Sequence, residues 1–268
     1  MKTKTVHVKL GMRRSYFAPI TARPGTGHPT YGTVLDMGEA VLGHLAVTYA
    51  TGDIFGDDAS RLHLEQFISG QLDTETTCSE LELAAAVYGR TFTNGVETSN
   101  KDDAAPDGGY GYIEPFLKAD KTMVFRAVFL YNVTPMPSQE KDDSDTRKGD
   151  FNPVNNAVSY FVAPDDTGDW RDRQEFNSEA AADAWIMSKF GSAAGHTVTV
   201  RTTGAGTVTP AGASFVAAGE DLALTCSVAP TKVYDNSADV TSSVSNKVYT
   251  IQDIAADHDV LVIFPAAT

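Results

Sequence analysis

The run MVFRAVFLYNV, which begins at Met123 and ends at Val133, constrains the fold more than any other part of the chain. Nearly all residues of this run are apolar, and Arg126 is the main exception. Successive side chains of a strand point to opposite faces of a sheet, so both faces of this strand are largely apolar. A strand of this kind is typical of the middle of a sheet that is covered on both sides. We therefore predict a central strand here and a sheet built around it.

Shorter segments of the chain either alternate apolar and polar residues or form apolar stretches, which predicts further strands. The segments are residues 6–10, 16–20, 41–49, 62–77 and 157–163. The apolar parity changes between Leu64 and Phe67, which predicts a β-bulge near Gln66.

Two short helices are predicted between the strands. Ser79 and Glu82 have the spacing of a capping box, so the first helix is expected over residues 81–88. Its expected buried side consists of Leu81, Leu83, Ala84 and Val87. Ser178 is expected to cap a second helix that extends to Phe190 and ends before Gly191.

Three polar segments are predicted to be loops: residues 50–61, 99–110 and 138–152. Asn94-Gly95 is typical of a hairpin turn. Within residues 50–61, Ile54 and Phe55 permit two interpretations. They either fold back onto the domain or form a small apolar tip for a partner.

The composition changes at residues 191–195, GSAAG, which are predicted to be a flexible linker. We expect one domain over residues 1–190 and a small β module, the C-terminal module, over residues 196–268. The C-terminal module has three basic and seven acidic side chains, a net charge of −4, against −10 in the residues before it.

The net charge of −14 makes nucleic-acid binding an improbable function, because such binding rests on Lys and Arg contacts to phosphates. Cys78 and Cys226 form no CxxC motif, and one pair does not make a disulfide framework. No signal peptide and no membrane-spanning segment is predicted, so we expect a protein made in a cytoplasm.

No catalytic motif stands out in the sequence. We find no HExxH, GxSxG, P-loop or helix-opening GxGxxG pattern, and the six histidines lack ligand-like spacing. The acidic run near Asp142 departs from the EF-hand pattern, because Arg147 stands at a ligand position. We therefore expect a structural or interaction protein, with no enzymatic activity, cofactor or metal.

Residues 11–190 resemble the major tail protein of siphophages, the tail tube subunit, in the order of several elements. The elements are GMRRSYFAPIT (residues 11–21), VFRAVFLYNV (124–133), a charged loop, Lys148-Gly149-Asp150 before FNPVNNAVSYFV, and EAAADAWIMSKF (179–190). The C-terminal module is similar to an immunoglobulin-like or internalin-type bacterial repeat. That similarity rests on VTVRTTGAGTVTPAG (198–212), VAAGEDLALT (216–225) and YTIQDIAADHDVLVIF (249–264).

The resemblance implies a mainly β fold. We expect a tail-tube β-sandwich or partial barrel with a flanking short helix, followed by a small all-β, Ig-like or β-grasp-like module that projects outward on the linker. It also implies stacked homohexameric rings that form the phage tail tube, a conduit for genome ejection. Expected partners are further copies of the chain, a tape-measure protein, and the tail terminator and distal tail proteins. DNA would pass through the lumen without specific binding, and the protein would reside in the virion tail after synthesis in the host bacterial cytoplasm.

The resemblance also implies that the expected loops and the N-terminal segment make the contacts between copies, which gives the candidate self-association residues. They are Arg13, Arg14, Ile54, Phe55, Asp57, Asp58, Arg61, Asp142, Asp143, Arg147 and Lys148. The alternative is a bacterial surface or secreted binding protein with an Ig-like module, which predicts an export signal or an anchor.

Overall fold

The computed structural model describes residues 7–56, 59–78, 80–140, 155–192 and 195–266. Over these residues the chain is mainly β with two α-helices, as the sequence predicted, and it has twenty strands. Neither helix is long and apolar enough to cross a membrane, in the residues described.

The strands before the C-terminal module are β1 (His7–Lys9), β2 (Arg13–Ala22), β3 (Thr30–Tyr31), β4 (Leu35–Asp36), β5 (Ala40–Gly56), β6 (Ala59–Thr76), β7 (Thr91–Thr93), β8 (Val96–Thr98), β9 (Gly108–Lys118), β10 (Met123–Pro135), β11 (Asn156–Ala163) and β12 (Arg171–Phe176). Those of the module are β13 (Gly195–Thr203), β14 (Val208–Thr209), β15 (Gly212–Ala217), β16 (Leu222–Cys226), β17 (Lys232–Asp235), β18 (Ala238–Asp239), β19 (Val248–Ile251) and β20 (His258–Ile263). The helices are α1 (Leu81–Tyr88) and α2 (Glu179–Lys189).

The chain divides into two compact units, and the division differs from the expected boundary at residue 190. The first unit contains the described residues of Met1–Leu10, Ile113–Ala127 and Arg173–Thr268. The second contains those of Gly11–Tyr112 and Val128–Asp172. Whether residues 196–268 fold independently stays a prediction.

The second unit is built on an open sheet with the strand order β3-β2-β9-β10-β11-β6-β5. Residues 128–131 of β10 are at most 2% exposed, so the predicted central strand is confirmed. Its core joins one face of the sheet to α1 and contains Phe17, Leu72, Tyr110 and Tyr160. The end strands β3 and β5 are not paired with each other in the described residues, so no barrel closes there.

The prediction of a loop over residues 50–61 is wrong. β5 and β6 form one long antiparallel hairpin, and cross-strand pairing continues to Gly56 and Ala59. A bulge occurs in β6, where Tyr49 pairs with Phe67 and Thr48 with Ser69. The extra residue is therefore Ile68, two positions from the predicted Gln66. Polar and glycine residues are tolerated in this part of the hairpin because the side chains of residues 50–53 are exposed, and Asp57 and Asp58 lie outside the described residues.

Helix α1 has its predicted bounds, but its cap and its buried side differ from the prediction. Glu80 occupies the N-cap position and makes no side-chain cap hydrogen bond. Leu81 is 55% exposed. The buried residues are Leu83, Ala85, Val87 and Tyr88. Leu83 and Val87 are therefore buried as predicted, whereas Leu81 is exposed and Ala84 is only half-buried.

Helix α2 follows the prediction closely. Ser178 is the N-cap, and its Oγ accepts a hydrogen bond of 3.2 Å from the Ala181 N–H. The helix ends at Lys189, and Gly191 has a positive φ of 75°.

The C-terminal module consists of two sheets with the strand orders β15-β13-β20-β17-β18 and β14-β16-β19. β13 and β20 are parallel neighbours. Apolar side chains from both sheets, among them Val198, Leu224 and Val260, form one core.

The structure corrects one expectation about the connection to the module. Gly195, predicted to belong to the linker, is the first residue of β13 and pairs with Ala217. Helix α2 packs against β13 and β15, and the Asn177 amide donates a hydrogen bond to the Ala211 carbonyl. Helix α2 and the residue before its N-cap therefore contact the module directly.

Candidate self-association surface

Strand β5 presents a long unpaired edge in the second unit. It has 17 residues, lies at the end of the sheet, and pairs only with β6 among the described strands. The opposite edge differs, because β2 is covered there by β3 and β4, which have two residues each. Unpaired N–H and C=O groups on a long edge are a template for pairing with another chain.

Residues 48–56 and 59–69 form a two-stranded extension that we call the ribbon. β6 pairs with β11 only from Gly70 to Thr76, so the ribbon has no third strand in the described residues. Apolar side chains on it are well exposed: Tyr49 is 44% exposed, Leu62 48%, Leu64 53% and Ile68 52%. Several exposed apolar side chains on one short element are typical of an interaction surface.

The two faces of the ribbon carry different cross-strand pairs of side chains. One face carries the cross-strand pairs Tyr49–Phe67 and Asp53–His63, and the other carries Gly52–Leu64. The ring of Phe67 stacks on Trp170, with centroids 4.3 Å apart and an interplanar angle of 3°. This contact anchors the base of the ribbon, because Trp170 packs against the core of the unit.

His63 lies between two carboxylates on the ribbon. Its Nδ1 is 2.7 Å from Asp53 Oδ1, and its Nε2 is 3.2 Å from Glu65 Oε1. Hydrogen bonds with Asp53 and then with Glu65 raise the pKa of His63 above its ordinary value of 6.5.

The sheet face that points away from the core carries carboxylates. Asp73 Oδ1 accepts hydrogen bonds from Ser159 Oγ at 2.6 Å and from Gln71 Nε2 at 2.8 Å. Glu75 Oε2 accepts one from Asn155 Nδ2 at 3.4 Å. The donors in these three hydrogen bonds are neutral side chains that orient the carboxylates.

The predicted site residues fall into three groups. Ile54, Phe55 and Arg61 lie in the strands of the ribbon, where Ile54 pairs with Leu62, but their side chains are outside the description. Arg13 and Arg14 begin β2 and are exposed, and Arg14 has a positive φ of 53°. The remaining six are outside the described residues: Asp57, Asp58, Asp142, Asp143, Arg147 and Lys148.

Sequence reasoning missed most of the apolar residues on the ribbon. Leu62, Leu64 and Ile68 were assigned to a strand without any indication that they are exposed. The available signal was the length of the alternating segment over residues 62–77, which exceeds that of an ordinary strand.

The C-terminal module contains an open cleft of about 550 Å³ with polar groups along it. Asp235 accepts hydrogen bonds from the Tyr249 hydroxyl at 2.9 Å and from His258 Nδ1 at 2.8 Å. Ser243 and Gln252 also line the cleft. Over the part of the chain that the structure describes, no three His, Cys, Asp or Glu side chains are grouped so that they could hold a metal ion.

No protein-family model matches the chain, and no curated protein matches it at a significant level.

Proposed function

We propose that the chain is a structural subunit that self-associates through β5 and the ribbon into stacked hexameric rings, the tail tube of a siphophage. The observation that carries the proposal is the position of the 17-residue strand β5 at the end of the sheet, paired only with β6 among the described strands, together with the exposed apolar side chains of the ribbon. The hexamer, the stacking and the virion location come from the resemblance of residues 11–190 to major tail proteins.

The edge of β5 supports association between copies for an energetic reason. Pairing with a strand of a second copy satisfies backbone groups that are otherwise left to water, and it covers the apolar side chains nearby. The opposite edge is covered by β3 and β4, so the two edges of the sheet are different surfaces. Contacts between different surfaces generate rings or filaments, whereas a self-complementary contact stops at a dimer.

The outward carboxylates Asp73 and Glu75 support the conduit function. In a tube whose lumen is lined by this face, negative side chains repel phosphates, so that DNA passes without adhering. The tape-measure protein would occupy the same lumen during assembly. The tail terminator and distal tail proteins would bind the two ends of the tube.

The proposal is tested by negative-stain microscopy of the purified chain at increasing concentration. We expect rings or tubes with a central channel. Leu64→Asp places a charge on the apolar face of the ribbon, and we expect it to reduce the particle count at least about tenfold, since burying an unpaired charge at an interface is costly.

Val96→Asp is the matched control, because Val96 is 60% exposed on the short β7–β8 hairpin, which is a separate sheet from that of the ribbon. We expect this variant to assemble like the wild type. Circular dichroism of both variants separates lost assembly from lost folding. Wild-type particle counts for a folded Leu64→Asp protein would remove the ribbon from the interface.

A bacterial surface or secreted binding protein is the second candidate. The polar cleft beside Asp235, Tyr249 and His258 favours it, because a recessed polar surface suits a small ligand. Monomers that persist at high protein concentration would support this candidate over the first.

A further inference from the structure

The Asp53–His63–Glu65 cluster lies where the two strands of the ribbon are paired. Asp53 of β5 is directly opposite His63 of β6, and Glu65 is two residues further along β6, on the same face. These are the two charged groups that the structure places in hydrogen-bond contact with the imidazole, one from each strand. The side chains of Asp53, His63 and Glu65 are 44%, 54% and 57% exposed, so the cluster is open to water.

The geometry suits the protonated form of His63. A neutral imidazole carries one N–H, whereas an imidazolium carries two and donates to both carboxylates. When the proton is lost, one ring nitrogen presents a lone pair to a carboxylate oxygen. The charge of the cluster then changes from −1 to −2.

We propose that this cluster is a proton-dependent switch for self-association, in which the protonated cluster favours association through the ribbon and deprotonation weakens it. The inference rests on the proposed function. Association removes water from the ribbon, and a cluster of charge −2 is more costly to desolvate than one of charge −1. Each subunit contributes one cluster, so the desolvation cost adds up over the subunits of a ring.

The pH dependence has a defined sign. The pKa of His63 is raised in the folded chain by its hydrogen bonds with Asp53 and Glu65, so the favourable protonated state is present at low pH and is lost as the pH rises through that pKa. The linkage of one proton to each contact lowers the association constant by up to about tenfold for each pH unit in this range.

The test is sedimentation velocity of the full chain between pH 5.5 and 9, with the assembled fraction as the readout. We expect the assembled fraction to fall over the titration range of His63 in the wild type. We expect His63→Gln to lose this step. His44→Gln is the control, because His44 is an exposed histidine of the same hairpin, and it should retain the step. A step of equal size in His63→Gln would overturn the proposal.

An NMR titration of the His63 imidazole tests the cluster apart from assembly. The midpoint should lie above 6.5 in the wild type and move down toward about 6.5 in the Asp53→Asn, Glu65→Gln double variant. An equal midpoint in both proteins would overturn the proposal. Absence of particles at every pH would contradict the proposed function, whereas particles whose yield is independent of pH would contradict only the switch.

Discussion

In the C-terminal module the apolar side chains of two sheets meet in one core, whereas in the ribbon they are about half exposed. Leu224 and Val260 of the module are 0% exposed, and Leu62 and Leu64 of the ribbon are 48% and 53% exposed. Both regions are made of β-strands. The difference is that the module stacks two sheets, whereas the ribbon extends past its neighbouring strand. Apolar residues therefore stabilise the fold in the module and are available for association in the ribbon.

The largest expected effect on folding comes from the core of the module. Leu224→Ala leaves a cavity among fully buried side chains, and it should lower the free energy of unfolding by about 3 kcal/mol. Leu64→Ala in the ribbon should change it by less than about 0.5 kcal/mol, because the side chain is half exposed. Urea unfolding of both variants measures the difference, and equal losses would contradict the contrast between the two regions.

A tyrosine in each region makes a second, smaller test. Tyr249 donates a hydrogen bond to the buried Asp235 carboxylate, so Tyr249→Phe should cost about 2 kcal/mol. The paired variant is Tyr49→Phe, since Tyr49 is 44% exposed on the ribbon, and its expected cost is below about 0.5 kcal/mol. Thermal unfolding would decide this test. A loss of stability in Tyr49→Phe as large as that in Tyr249→Phe would show that the ribbon depends on internal polar contacts as well.

The smallest expected effect concerns the helix that packs against the module. Ser178→Ala removes the side-chain cap of α2 and should cost about 1 kcal/mol. Glu80→Ala at the corresponding position of α1 should cost clearly less, because Glu80 makes no side-chain cap hydrogen bond. Hydrogen exchange of the first turn of each helix measures the local effect. Equal changes in amide-exchange protection in the two helices would contradict the expected difference between the two caps.

Several elements could be predicted from local sequence. The structure confirms that β10 is apolar on both faces, that Ser178 caps α2, and that α1 has the predicted bounds. Asn94-Gly95 forms the turn between β7 and β8, with positive φ at both residues. Each of these signals lies within a few residues of the element that it specifies.

Strand β9 shows why other elements were missed. Its first residues, Gly108 and Gly109, indicated a loop by composition. In the structure a Cβ on Gly108 would collide with the Phe17 ring, and one on Gly109 would lie 2.6 Å from Tyr31. These glycines are required by side chains about 80 to 90 positions earlier in the chain, and no local pattern records such a contact.

The candidate site, too, was predicted from the sequence only in part. The sequence indicated that Ile54 and Phe55 stand out in a polar segment, but it did not indicate that the segment is a paired ribbon. It also left open which sheet face carries the carboxylates, and the structure places Asp73 and Glu75 on the face away from the core.

The sequence by itself determined that the chain is mainly β, where its central strand and its two helices lie, and that its charge disfavours nucleic-acid binding. These properties depend on composition and on residues close together in the chain. Only the tertiary structure decided which strands end the sheet, which apolar side chains stay exposed, and that His63 meets Asp53 and Glu65. These properties depend on which distant segments cover one another, because exposure is set by the neighbours that a side chain acquires when the sheets pack.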